Sequence, residues 1–364
     1  MKVTRSEEVE TKIALVRSFL GEQEVVVRLR GIDWFAWATA GASSAVLLAA
    51  ETGIAEVLIT FDGAWILTDQ IEARRLLEEE IIGSYIIHVS AWAVPEEREQ
   101  FVRKKCGPGL ILSDRPESGE APLPEVLVTA KRSMTAGEVE RYREVGRLTA
   151  EAMSETLGLA EPGWTEWELA GAGAKALLSR GVHPALVLSA GKRRLTIYRH
   201  PTPSMERLCS CAMLVFCGRM HGLYANMTRF VSFEPMVPEE ADRHRLVREI
   251  EAYVLEQARP GASLDSLYSG LDRAYAEAGH ATAIQEHHQG GTTGYRAREI
   301  VAMPGMLAER LHNGTPVAWN PSIQGAKIED TFLVTDTGLI NLTMDPAWPV
   351  CEVAGIKRPL VLER

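Results

Sequence analysis

The sequence predicts two domains, an α/β domain over residues 1–130 and an α+β domain over 131–364 built from a duplicated helix-helix-hairpin unit. Three observations predict this. The chain has 364 residues, more than one hydrophobic core usually organises. Its first third alternates short β-branched runs with charged amphipathic runs. Its remainder repeats a Pro-Gly-centred pattern at a fixed offset.

In the first part, Val25-Val26-Val27-Arg28-Leu29 and Ala45-Val46-Leu47-Leu48-Ala49 read as strands. Val57 to Phe61 and Ala64 to Thr68 flank Asp62-Gly63, a strong hairpin signal because both residue types tolerate the positive φ of a tight turn. Ile71 to Glu80 and Pro95 to Lys105 read as helices, and Ile86 to Val89 and Leu110 to Leu112 as strands. The Pro-, Gly- and charge-rich stretch Ser113 to Pro124 reads as a linker, followed by a strand at Val126-Leu127-Val128. Trp34-Phe35-Ala36-Trp37 is either an exposed contact surface or core.

The second part opens with a long helix from Ala136. Pro162-Gly163-Trp164-Thr165 recurs 98 residues later as Pro260-Gly261-Ala262-Ser263, and the same offset relates Leu148 to Leu246 and Gly181 to Gly279. Thr165 and Ser263 stand where a hydroxyl N-caps a second helix, and Gly181 and Gly279 where that helix stops. A cleft between two such halves is an expected ligand site.

Composition narrows the function. Hydrophobic residues make up 46% and charged residues 24%, as in an ordinary globular protein. The net charge of −10 disfavours nucleic acid and anionic membrane surfaces as partners. No apolar run is long enough to span a membrane, and Met1 to Glu8 runs into charge rather than into a signal-peptide core. Five cysteines without framework spacing predict reduced thiols and a cytoplasmic protein.

The motifs of the second part resemble the creatinase, prolidase and aminopeptidase P superfamily. Thr228-Arg229 follows a glycine-centred hairpin, as in that family's Asp-x-Thr-Arg element. His287-His288-Gln289-Gly290-Gly291 stands at its Gly-His-Gly-x-Gly segment, and Trp319-Asn320-Pro321 at its Glu-Pro strand end. Lys327-Ile328-Glu329-Asp330-Thr331, then Val334-Thr335-Asp336-Thr337-Gly338, is similar to its closing segment. His200 falls where the family keeps a loop histidine. The resemblance implies a pita-bread fold and a homodimer.

It also implies a site. Family metallopeptidases hold two divalent ions with two Asp, one His and two Glu. Position by position, the first Asp falls at Val215, Phe216 or Cys217 and the second at Asn226. The histidine is kept as His288, the first Glu becomes Asn320, and the second is kept as Glu329. A further family histidine falls at Tyr295. Two amides in place of two carboxylates leave too little negative charge for a pair of dications, so no metal or other cofactor is expected. Creatinase works without metal, with a histidine in the position of His200 moving protons. The expectation is therefore a metal-independent hydrolase of a C–N bond in a small polar amide- or amidine-like substrate. His200 is expected as general acid/base, and His288 and Glu329 are expected to orient a cationic or amide-bearing substrate. Asn226, Asn320, Arg229, Tyr295 and Cys217 are the substrate-binding candidates. Arg229 is equally readable as a structural ion-pair partner, and Cys217 as a nucleophile, a ligand for one soft ion or an inert buried thiol. Arg298 and Glu299 follow the glycine turn and are candidates to line the cleft. An elimination enzyme, a non-catalytic binding protein and a residual Xaa-Pro metallopeptidase are the alternative readings. His287 and His288 adjoin on what should be a strand, so their side chains are expected to point to opposite faces, with His288 toward the cleft and His287 behind it or packed.

Overall fold

A computed structural model describes residues 4–20 and 25–364; the expectation that Met1 to Glu8 carries no signal-peptide core lies partly outside them. The chain groups into two compact units, one running to Arg141 and including His221–Leu223, the other comprising Tyr142–Met220 and Tyr224–Arg364.

The first unit is built on a six-stranded sheet. Its order is Ile86–Ser90, Ala64–Asp69, Thr52–Ile59, Val25–Gly31, Leu110–Ser113 and Glu120–Pro122. Val25–Gly31 lies at the centre, antiparallel to Thr52–Ile59 and parallel to Leu110–Ser113. The Asp62-Gly63 hairpin forms as expected, with Ile59 opposite Ala64. Charged residues enter this core only in sets. Lys12 bonds both Glu8 and Glu138 at 2.7 Å, and Arg28 is bound by Glu56 and Glu99.

Three expectations fail here, each for a local reason, and one open alternative is decided. Val126–Val128 is not a strand but the middle of the helix Glu125–Arg132, because three apolar residues cannot set a period and Leu127 alone is buried. Ala45 to Ala49 forms no strand, and Val46, Leu47 and Leu48 are exposed. The supposed linker contributes Glu120–Pro122 as an edge strand. Trp34, Phe35 and Trp37 belong to the short helix Ile32–Ala38 and are at most 7% exposed, so this run is core and offers no contact surface.

The second unit carries the duplication. The first half has the helices Ala136–Leu159 and Glu166–Leu178, then strands His183–Gly191, Cys211–Met220 and Leu223–Ser232. The second half has helices Pro238–Gln257 and Leu264–Glu277, then Gly290–Thr292, Pro316–Trp319 and Asp330–Thr335. Thr165 accepts from the Glu168 amide in a full capping box, and Ser263 accepts from the Ser266 amide. Gly181 and Gly279 take φ of +73° and +79° beyond the ends of the helices they stop. A further correspondence was not foreseen. Thr165 bridges Arg207 and Ser263 bridges Arg310, and each arginine donates to the carbonyl of its Pro-Gly glycine, Gly163 or Gly261.

The two sheets of this unit meet at one place that matters for the site. Thr228 and Glu329 form a bridge, with the Thr228 amide donating to the Glu329 carbonyl at 3.0 Å. One turn of side chains away, Thr331 Oγ1 accepts from the Asn226 amide and donates to the Asn226 carbonyl. Beneath the second sheet, Val254, Leu267, Leu271, Tyr275, Trp319 and Phe332 form a continuous core.

Gly290 and Gly291 let the strand that follows the histidines approach its neighbours. Gly290 has φ +94°, and a Cβ there would stand 2.1 Å from the Ala318 carbonyl oxygen. Gly290→Ala is therefore expected to cost at least about 2 kcal/mol, from left-handed strain and overpacking together. Urea unfolding of the variant checks this, and an unchanged midpoint would remove the close-approach argument.

No helix of the described residues is long and apolar enough to cross a membrane.

Candidate functional site

Lys327, Ile328 and Glu329 stand immediately before the strand Asp330–Thr335, and alternation turns Glu329 and Asp330 to opposite sides. Asp330 faces inward, pairing with Arg229 at 2.6 Å and Arg358 at 2.9 Å, all with side chains no more than 1% exposed. Glu329 faces the meeting of the two sheets. Its Oε1 accepts from Arg298 at 2.5 Å and its Oε2 from Thr228 Oγ1 at 3.1 Å, with Lys327 Nζ 3.7 Å away. Burial alone would raise the Glu329 carboxyl, but Lys327, Arg298 and Thr228 together hold it below the usual carboxylate range. Burial in turn lowers the Lys327 ammonium, an effect that Glu329 opposes.

Three histidines assemble beside this ion cluster. His200 comes from the loop after His183–Gly191, and His287 and His288 from the extended segment between the turn Ala283–Glu286 and Gly290. His200 Nε2 and His287 Nε2 are 2.7 Å apart. The ring centroids of His200 lie 4.5 Å from His287 and 5.6 Å from His288, and the rings of His287 and His288 stack at 4.5 Å. The expectation that the two side chains point to opposite faces thus fails, whereas His287 is packed, as expected, and bonds His200 from its buried side. These residues precede the strand rather than belonging to it, so the two-residue alternation does not hold there. His287 is 8% exposed, while His200 and His288 are open to solvent.

Burial is the main cause that lowers all three imidazoles, with Lys327 and Arg298 adding to it. His287 falls to about 2 and His288 to about 4, and His200 is lowered as well. The rings are neutral at pH 7. Their unfolded counterparts titrate near 6.5, so the unfolded chain binds more protons below that pH. Buried His244, lowered to about 3, acts in the same direction. Stability is expected to be full above about pH 6.5 and to decline as pH falls toward 4. Thermal melts at pH 7 and pH 5 check this, and His287→Gln is expected to flatten the decline.

The remaining candidates are distributed as follows. Asn226 is fully buried; its Nδ2 donates to Thr293 Oγ1 at 2.9 Å, and its Oδ1 has no hydrogen-bond partner. Asn320 is likewise buried with an unpartnered Oδ1. Cys217 is 7% exposed, and burial pushes its thiol up to about 12, which removes it as a nucleophile near neutrality. Tyr295 is 1% exposed. Arg229, named above among the substrate-binding candidates, gives its guanidinium to Asp330 and to the carbonyls of Thr228, Glu329 and Thr343. It fixes the strands and has a structural role. The idea that Glu329 orients a cationic substrate also fails, because two protein cations already occupy its carboxylate. Sequence reasoning missed Lys327, although Lys-x-Glu at a two-residue spacing is the signal that both would share a face.

A pair of divalent ions does not fit the five matched positions. They supply one carboxylate, two neutral amides, one imidazole and, at the first position, either an apolar side chain (Val215 or Phe216) or the buried protonated thiol of Cys217, and the carboxylate is held by Arg298 and Lys327. Two dications there would face two fixed cations with one anion between them.

A family model described as metallopeptidase family M24 matches residues 140–336. An uncharacterized peptidase of Staphylococcus aureus strain MW2 is 28% identical over 156 residues, 40% of this chain and 43% of that protein. The chain thus matches less than half the length of this curated relative. The fold is similar to an Xaa-Pro dipeptidase from Bacillus anthracis, with TM-score 0.76, 16% identity and coverage of 98% of this chain and 100% of that one. It is equally similar to an X-Pro aminopeptidase from Thermotoga maritima MSB8, with TM-score 0.76, 17% identity and coverage of 98% and 99%.

Proposed function

From the premise that the chain belongs to metallopeptidase family M24, within the creatinase, prolidase and aminopeptidase P superfamily, we propose a hydrolase that works by imidazole chemistry without a dinuclear metal centre. Its substrate is a small polar molecule bearing an amide or amidine, and the bond cut is C–N. The observation that carries this reading is the state of Glu329. The one carboxylate retained from the family's ligand set is neutralised by Arg298 and Lys327, so cationic side chains stand in for cationic metal.

The chemistry follows from the histidine cluster. The two Nε2 atoms share one proton; in the tautomer in which His200 is the donor, its Nδ1 is free to accept a proton from water. The resulting hydroxide oxygen bonds to the substrate's amide or amidine carbon, and the proton on His200 then passes to the leaving nitrogen as the C–N bond breaks. Lys327 and Arg298 contribute fixed positive charge toward the oxyanion or amide anion that develops. The unpartnered Oδ1 atoms of Asn226 and Asn320 are acceptors for substrate N–H groups, which favours an amide or amidine over an ester.

Turnover of amide and amidine candidates in ¹⁸O-labelled water tests the reaction type. Hydrolysis places one solvent oxygen in the acid or urea product. A product without label would mean elimination, and turnover of Xaa-Pro dipeptides only after Mn²⁺ or Co²⁺ loading would overturn the proposal.

A further inference from the structure

We propose that His200, His287 and His288 form a binding site for a single borderline divalent cation such as Zn²⁺, sharing only His288 with the positions matched to the family's carboxylate-rich dinuclear site. Among the described residues these three are the only group of His, Cys, Asp or Glu side chains placed to share an ion, with donor nitrogens all within 4.8 Å of one another. Three neutral imidazoles suit zinc, nickel or cobalt better than magnesium or calcium, which prefer oxygen.

Binding requires the pairs to adjust in opposite senses, the donor nitrogens now lying up to 4.8 Å apart. Zinc–nitrogen bonds of about 2.0–2.1 Å in a tetrahedron set the nitrogens about 3.3 Å apart. The His200–His287 pair, now at 2.7 Å, must open by about 0.6 Å to reach that separation. His200 can supply the movement, because it lies in an exposed Pro-bounded loop at Tyr198-Arg199-His200-Pro201, whereas His287 is held in place by burial. The proton now shared by the two Nε2 atoms shifts to an outer ring nitrogen, so both lone pairs turn to the ion and no net proton is lost. The exposed side of His200 and His288 leaves room for a water as fourth ligand. Glu329 offsets the nearby charge of Lys327 and Arg298, which would otherwise repel the ion.

Such an ion competes with the imidazole chemistry proposed above, because it occupies the ring that must carry the proton. This second part rests on that reading; the binding itself does not. Zinc occupancy is therefore inhibitory.

The test is calorimetric titration of Zn²⁺ into the chelator-stripped full chain. The expected result is one ion per chain, with His200→Gln and His287→Gln each weakening binding at least tenfold and Cys217→Ser leaving it unchanged. Thermal melts without metal establish that the variants are folded. Co²⁺ loading adds a ligand-specific readout, since an all-nitrogen site gives no thiolate-to-cobalt charge-transfer band. Absence of stoichiometric binding, equal binding by the histidine variants or a thiolate band would each overturn the site. Inhibition of turnover in proportion to zinc occupancy supports the blocking role, and full turnover at saturating zinc overturns it. A metal-free chain with no hydrolase activity would instead defeat the proposed function and leave the calorimetric result standing.

Discussion

Glu329→Gln is expected to destabilise the protein by about 3–5 kcal/mol, the range seen when one partner is removed from a buried ion pair. The reason is electrostatic. Glu329 is 2% exposed and is the anion that Arg298 and Lys327 share at the meeting of the two sheets. A neutral amide of the same shape leaves both cations in a low-dielectric setting without compensation. Lys327→Met in the same background removes one of those cations and is expected to recover part of the loss, so the double variant is more stable than Glu329→Gln alone. Urea unfolding of the four proteins in this cycle measures the coupling. A Glu329 whose role was to hold metal would behave differently, since its loss would change stability only when metal was supplied. Full stability of Glu329→Gln in metal-free buffer would show that the ion cluster has been misread.

His200→Ala is expected to lower kcat by about 10²- to 10⁴-fold while leaving KM within a few-fold. At 1.36 kcal/mol per tenfold this corresponds to about 3–5 kcal/mol of transition-state stabilisation. His200 is exposed and its side chain bonds His287, so the stability change is expected to stay within about 1.5 kcal/mol, the worth of a single hydrogen bond. His287→Gln tests the positioning role separately. Glutamine can still bond His200, so the variant is expected to lose less rate than His200→Ala and to shift the pH profile of kcat. Equal rates in wild type and His200→Ala would remove imidazole from the mechanism.

The frame of this site was legible in the sequence because it depends on local rules. A hydroxyl following Pro-Gly, at Thr165 and again at Ser263, marks a helix start wherever it occurs, and its repetition exposes the duplication. Asp62-Gly63 marks the hairpin, although neither residue takes a positive φ; Thr60 Oγ1 donates to Asp62 and accepts from the Gly63 amide to close the turn. Glu329 and Asp330 separate by strand alternation, so one serves the site and the other the core. What failed depended on context. Val126–Val128 is β-branched at two positions, yet it lies in a helix, because tertiary packing of Leu127 overrides propensity over so short a run. Arg229 could not be placed, since a buried guanidinium and a substrate clamp look alike until their partners are known. The approach of His200 to His287 joins residues 87 positions apart through a loop. No period or spacing in the chain encodes where that loop comes to rest.

The central claim is that protein cations and imidazoles, rather than a pair of metal ions, supply the chemistry of this family member. Elemental analysis of purified protein, coupled to turnover before and after exhaustive chelation, tests it most directly. Activity that survives or rises on chelation is the predicted result, with any bound metal at one ion per chain or below. Two ions per chain, with activity abolished by the chelator and restored by Mn²⁺ or Co²⁺, would contradict it.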